Sequence, residues 1–216
     1  MNLAQQDSGN EDRKTIKTFA LASFLNDMGS DMIYPIWPLF IRSVLGANMT
    51  MLGILDGLGE ALVSLSSAGS GYLSDKIHKR KIFIWIGYLM GASSRIGYAI
   101  STTWTTVLPF RILDRAGKIR SAPRDAIIAD ISKTDNRGKN FGILRTADHL
   151  GAVIGILICL SLVDTLKFST IFMIAAIPSF LGVGLILLFI KERPAEQIHA
   201  FKGIRLIDLS KNFKNF

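Results

Sequence analysis

The chain has 216 residues, of which 49% are hydrophobic, and carries a net charge of +8 with a single cysteine; its mean hydropathy is +0.35. Apolar residues bunched to this degree exclude an ordinary soluble domain, and one cysteine excludes a disulfide framework or a cysteine metal site within the chain. Most of the basic residues fall in the gaps between apolar runs, a distribution that argues for membrane orientation and against nucleic-acid binding.

A helix needs roughly 20 mostly apolar residues to cross a bilayer. Six segments meet that length, approximately 17–41, 51–73, 82–100, 102–120, 141–163 and 168–190. They predict an all-α membrane protein with six transmembrane helices. The first 16 residues are polar and lack the pattern of a cleaved signal peptide, so 1–16 reads as a tail and 17–190 as the bundle. Segment one carries Asn26, Asp27 and Asp31, then Pro35 and Pro38. Segment two has Asp56 and Glu60, a second acid pair at helical spacing. Between segments two and three lies Gly71-Tyr-Leu-Ser-Asp75-Lys76-Ile-His-Lys79-Arg80-Lys81, a charged latch on one face. Segment three contains Arg95, near enough to its outer end to snorkel to the surface. Segment four is weakest in hydropathy, with Pro109, Arg111, Asp114, Arg115, Lys118 and Arg120; segment five has Arg145, Asp148, His149 and Cys159, the last a small lipid-facing or packing residue; segment six has Pro178. Small-residue pairs four apart (Gly53 and Gly57, Gly87 and Gly91, Gly151 and Gly155) predict close helix crossings. After Pro194, apolar and basic residues interleave to Phe216, which predicts an amphipathic cytoplasmic segment over 191–216.

Sixteen lysines and arginines lie in the tails and in the 2–3 and 4–5 loops, against only Arg42 and Lys167 on the other side. Positive residues stay in the cytoplasm, so both termini are expected there. The expected location is the plasma membrane, or the inner membrane of a Gram-negative cell. Ionisable groups at membrane depth are costly and usually face a wet cavity or a partner, and six plain anchoring helices would not need so many.

The latch resembles the signature loop of the major facilitator superfamily, G-x-L-x-D-[RK]-x-G-[RK]-[RK], with His78 where the family has Gly. Arg111 to Ala126 resembles R-x-x-D-R-x-G-K-G-x-R-x-x-P-R-D-A of one broad bacterial group, but lacks the Gly after Lys118. One deleted residue turns the rest of a helix by about 100°, so Arg120 to Asp125 are expected to face differently. Asp27 to Phe40 and Phe141 to Gly155 resemble the same group's first and fifth helices. Ile156 replaces the Pro that goes with antiport.

That resemblance implies the N-terminal six-helix half of the fold, made of two inverted three-helix repeats, moving a small solute or ion by alternating access. It implies a cavity lined by Asn26, Asp27, Asp31, Asp56, Glu60, Arg111, Arg115, Arg145 and Asp148. It implies a gate from Gly71, Asp75, Lys76, Lys79 and Arg80 acting with Asp125 and Asp130. Acids that gain and lose arginine contacts favour proton coupling. No cofactor or metal is implied. The partners are the lipid bilayer, the solute, and a second six-helix half from the same or another chain. The chain thus reads as a truncated half or as a half-size unit that dimerises. Alternatives are a six-helix intramembrane serine protease, for which Gly91-Ala-Ser93-Ser94 is the nearest string, and a non-transporting membrane fragment.

Overall fold

Each helix starts and stops where local chemistry dictates. The computed structural model describes residues 3–192. Helix α1 (Leu3–Asp31) runs from the polar tail straight into the first apolar segment. The paired prolines then break the run. Pro35 lies in a 3-10 turn, Tyr34–Ile36, and Pro38 lies in the first turn of α2 (Trp37–Ser43), where its missing N–H costs nothing. Asn48 caps α3 (Met49–Ile77) by accepting from the Met51 amide at 2.9 Å. His78 ends α3 in the left-handed conformation, φ +54°. That is a backbone geometry for which glycine is preferred, and it gives the physical reason for a glycine in the family motif.

Helix α4 spans Arg80–Ile100. A capping box on Thr103 and Thr106 opens α5 (Trp104–Ala116). A 3-10 turn, Gly117–Arg120, then leads into α6 (Ser121–Ile131). That turn bears on the missing glycine. Four 3-10 residues advance about 480° and 8.0 Å, and five α-helical residues about 500° and 7.5 Å. The tighter winding therefore makes up for the deletion, in place of the reorientation expected from a uniform α-helix. A further 3-10 turn (Thr134–Asn136) precedes α7 (Arg137–Leu162), and α8 (Phe168–Phe189) completes six helical legs.

Helix α1 packs on α7 and α8, α4 on α8 and α5, and α3 on α5, the 3-10 turn and α6. At the α1–α7 crossing, a side chain at Gly151 or Gly155 would collide with the Phe24 or Met28 carbonyl, so backbone meets backbone there. Gly53 and Gly57 do not behave in this way: no atom among the described residues lies within 4 Å of a Cβ built at either. They sit on the open face of α3, so the expected crossing there is absent from this chain's own packing. Cys159 is fully buried in the apolar cluster around Trp37, Phe40, Tyr98 and Phe172.

Outward faces are apolar, with Leu58 and Leu65 on α3, Leu157 on α7 and Leu188 on α8 among the exposed residues. Among the described residues, three helical spans are long and apolar enough to cross a membrane: Met49–Ile77, Thr134–Leu162 and Phe168–Phe189. Legs one, three and four fall short because they carry the polar residues that turn inward. The predicted amphipathic segment after Pro194 lies outside the described residues.

Candidate functional site

Legs one to four enclose a cavity of about 510 Å³. Asp27 and Asp31 enter it from α1, Asp56 and Glu60 from α3, Arg95 from α4, Arg111, Asp114 and Arg115 from α5, and Lys118 and Arg120 from the 3-10 turn. Tyr34, Trp37 and Tyr98 supply its aromatic wall.

Spacing explains half of this arrangement. Asp56 and Glu60 are four apart on α3, and Arg111 and Arg115 are four apart on α5. Two helices crossing with matched spacing form two rungs: Arg111 to Asp56, and Arg115 to Glu60 at 3.5 Å. Asp114 lies 3.9 Å from both arginines. Arg111 also stacks 4.4 Å from the Trp37 ring centroid, where the ring face favours a cation. Asn26 is buried beside the cavity, not on its wall. Its amide donates to Asp27 at 2.9 Å and its carbonyl accepts from Arg95 at 3.3 Å.

Arg95 does not snorkel. It is 1% exposed and points into the bundle. With Lys118 and Arg120 it completes the cavity wall, although none of the three belongs to the predicted cavity set. Gly91, one turn before Arg95, was the available signal, since the glycine leaves room beside the guanidinium.

Arg145 and Asp148 lie away from the cavity lining. They form a second cluster with Arg124 and Asp125: Arg145 to Asp125 at 2.9 Å, Arg145 to Asp148 at 3.1 Å, and Arg124 to Asp125 at 3.0 Å. Arg124 also donates to Ser23 at 2.7 Å, and the Ser23 and Tyr88 hydroxyls are 2.9 Å apart. Asp125, expected at the gate, is placed here.

At the basic end, Arg80 is 2% exposed. It donates to Asp75 through Nε at 3.0 Å and Nη2 at 2.8 Å, and to Asp130 through Nη1. Burial disfavours its charge, but the hydrogen bonds to Asp75 and Asp130 outweigh that and hold its pKa above the usual value. Gly71 lets α3 approach Ala122 of α6. Lys76 and Lys79 are exposed and make no ion pair among the described residues. The sequence reading missed Glu192. Its carboxylate accepts from the Arg80 amide at 2.8 Å and the Lys81 amide at 3.2 Å, satisfying free donors at the start of α4. Only its closeness to a basic end could have suggested this.

The comparisons with known proteins agree with this architecture. A family model described as Major Facilitator Superfamily matches residues 19–212. An uncharacterised MFS-type transporter of Methanocaldococcus jannaschii is 40% identical over 185 residues, covering 84% of this chain and 46% of that protein. The quinolone resistance protein NorA of Staphylococcus aureus is 27% identical over 134 residues, covering 61% and 34%. Among solved structures, a peptide transporter, POT, in complex with sulfate superposes with TM-score 0.70 at 21% identity over 81% of this chain and 37% of its own. The human organic anion transporter MFSD10 does so with TM-score 0.66 at 18% identity, covering 84% and 48%. The chain therefore spans about half the length of the Methanocaldococcus jannaschii relative and about a third of NorA.

Proposed function

The chain belongs to the major facilitator superfamily, and from that premise we propose that it forms one six-helix half of a transporter that moves a small solute by alternating access. The Methanocaldococcus jannaschii relative and the superposing solved structures are transporters, so the protease and inert-fragment alternatives are not favoured. The observation that carries the proposal is the cavity: four legs turn ten ionisable side chains toward one space, an expense that membrane anchoring does not require.

The packing supports a pair of inverted repeats. Exchanging legs one to three for legs four to six maps the α1–α7 contact onto that of α5–α6 with α3, and α1–α8 onto α5–α4. Corresponding legs run in opposite directions. All six legs then cross the membrane, with both termini cytoplasmic and the latch on the cytoplasmic face. The open face of α3 and the small residues on it fit a second half, from the same polypeptide or from another copy.

In this reading Asp27 carries the coupled proton, and the two rungs between α3 and α5 break and re-form as the halves rock. The gene product carrying this chain, reconstituted in liposomes with an internal pH dye, is expected to move protons when a transported solute is added. Asp27→Asn should abolish that movement while the protein still inserts. Full pH-driven uptake by Asp27→Asn would remove the residue from the mechanism. Asp75→Asn separates gating from orientation: a gate predicts lost transport with normal insertion, whereas a topological role alone predicts normal transport.

A further inference from the structure

The ten cavity charges fall into two sets. Asp56, Glu60, Asp114, Arg111 and Arg115 are joined by ion pairs. Asp27, Asp31, Arg95, Lys118 and Arg120 make no ion pair among the described residues, although all five line the same space.

Arg95 is the sharpest case. It is 1% exposed, and its Nε and Nη1 have no hydrogen-bond acceptor among the described residues. Its Nη2 donates to the Asn26 carbonyl at 3.3 Å. A buried guanidinium with no ion pair and with unbonded donors is unfavourable. Such a group in a cavity wall is placed to donate to a bound solute.

Gly91 lies beside both guanidinium groups. A Cβ built on Gly91 would lie 3.5 Å from Arg95 Nη1, 3.9 Å from Arg120 Nη1 and 3.8 Å from Asn26 Oδ1. The two guanidinium nitrogens are therefore no more than about 7.4 Å apart, and Arg120 Nη1 also donates to the Gly117 carbonyl at 3.0 Å. Two bonds of about 2.9 Å to a single oxygen reach about 5.8 Å, so an oxyanion that places one oxygen on each guanidinium covers the whole of that range.

The unpaired acids set the other end. Asp31 makes no ion pair among the described residues and lines the same space as Arg95, Lys118 and Arg120, so a solute bearing both signs can supply a counter-charge to each set at once. We propose that Arg95 and Arg120, assisted by Lys118, seat an oxyanion of the transported solute while Asp31 receives its cationic group. The solute class is small and amphoteric, an amine joined to a carboxylate or phosphate-type group. The assignment rests on the transporter reading above for its word "transported", but the seat itself is a binding site and is tested as one.

The test is thermal melting of the gene product carrying this chain in lipid nanodiscs, followed by tryptophan fluorescence at constant ionic strength. Three probes are used: diglycine, which has both charges; N-acetyldiglycine, which keeps only the carboxylate; and diglycine amide, which keeps only the amine. Without probe, Arg95→Gln should melt above the parent chain, because it removes a charge that has no partner. Diglycine should raise the melting temperature of the parent at concentrations at least tenfold lower than either blocked form. Arg95→Gln should lose that preference for the carboxylate, and Asp31→Asn the preference for the amine. A lower melting temperature for Arg95→Gln would mean that the charge is already compensated within the protein and would overturn the proposal. Equal responses to the three probes, including no response to any, would overturn the amphoteric class. Transport is not read in this experiment. A chain that discriminates among the probes but moves no solute fails only the transporter reading, and one that moves solute without discriminating fails only this one.

Discussion

Helix α4 carries two buried arginines in opposite conditions. Arg80 at its first turn places donors on two carboxylates, and the amide ends around it are capped by Glu192. Arg95, four turns on, has two nitrogens, Nε and Nη1, with no acceptor among the described residues. The glycines between them repeat the contrast. Gly87 is jammed against the 3-10 turn, where a Cβ would lie 2.5 Å from the Gly117 carbonyl oxygen, whereas at Gly91 the nearest atom would be at an ordinary 3.5 Å. One helix is thus closed at its basic end and open at the cavity. Completed polar contacts and backbone crossings hold the fold, and incomplete ones are left where a ligand can complete them.

The largest effect is expected where the closed end is pushed apart. Gly87→Ala forces a methyl group against the Gly117 carbonyl and the Arg120 amide, atoms that belong to backbone and cannot step aside. Overpacking of this kind costs about 3 kcal/mol at the upper end of its usual range, read as a large fall in melting temperature in detergent. Arg80→Gln comes next. Asp75 and Asp130 are 57% and 33% exposed, so water re-solvates them once their partner is gone, and the loss should be about 2 kcal/mol, below the full cost of breaking a buried pair. Arg95→Gln is expected to change stability in the opposite direction. Two losses of equal size would erase the distinction between the ends of α4.

Smaller changes sharpen the closed end. His78→Gly should stabilise by about 1 kcal/mol, because glycine adopts the left-handed conformation without the clash that a Cβ brings. Glu192→Gln keeps the shape of the cap but removes its charge from the start of α4, at a cost of about 0.5 kcal/mol that should shrink as salt is added. A Glu192→Gln effect insensitive to salt would point to shape instead of charge as the source of the cap.

Much of this was legible in the sequence, for identifiable reasons. The apolar runs gave six legs because length and hydropathy are local properties. The α3–α5 rungs were foreshadowed by two acids and two arginines at matching four-residue spacing, and Asp130 was already a candidate partner for Arg80. What escaped depends on which way a helix faces in three dimensions. Arg95 looked able to reach the surface, but its helix turns it inward between α1 and the 3-10 turn. Arg145 and Asp148 carry the right chemistry, yet α7 packs behind α1, which keeps them off the cavity wall. The missing glycine after Lys118 predicted a rotated segment, because a sequence does not announce that four residues will wind as a 3-10 turn. Glu192 is far from Arg80 in sequence, and no local pattern links an acid after one helix to free amides at the start of another.

The smallest expected change in stability tests the open end most cleanly. Gly91→Ala adds a methyl group at ordinary contact distance from its neighbours, so stability should stay within about 0.5 kcal/mol of the parent. The same methyl group occupies the floor between the Arg95 and Arg120 guanidinium groups. If that floor is where an oxyanion sits, diglycine should stabilise Gly91→Ala at least tenfold less effectively than the parent chain, while the unliganded melting temperature barely moves. Binding and stability would then separate at Gly91, whereas Gly87→Ala should lower both together. Should Gly91→Ala instead melt as low as Gly87→Ala, α4 would be as tightly packed at the cavity as at its basic end, and the space beside Arg95 would be a consequence of packing with no room reserved for a ligand.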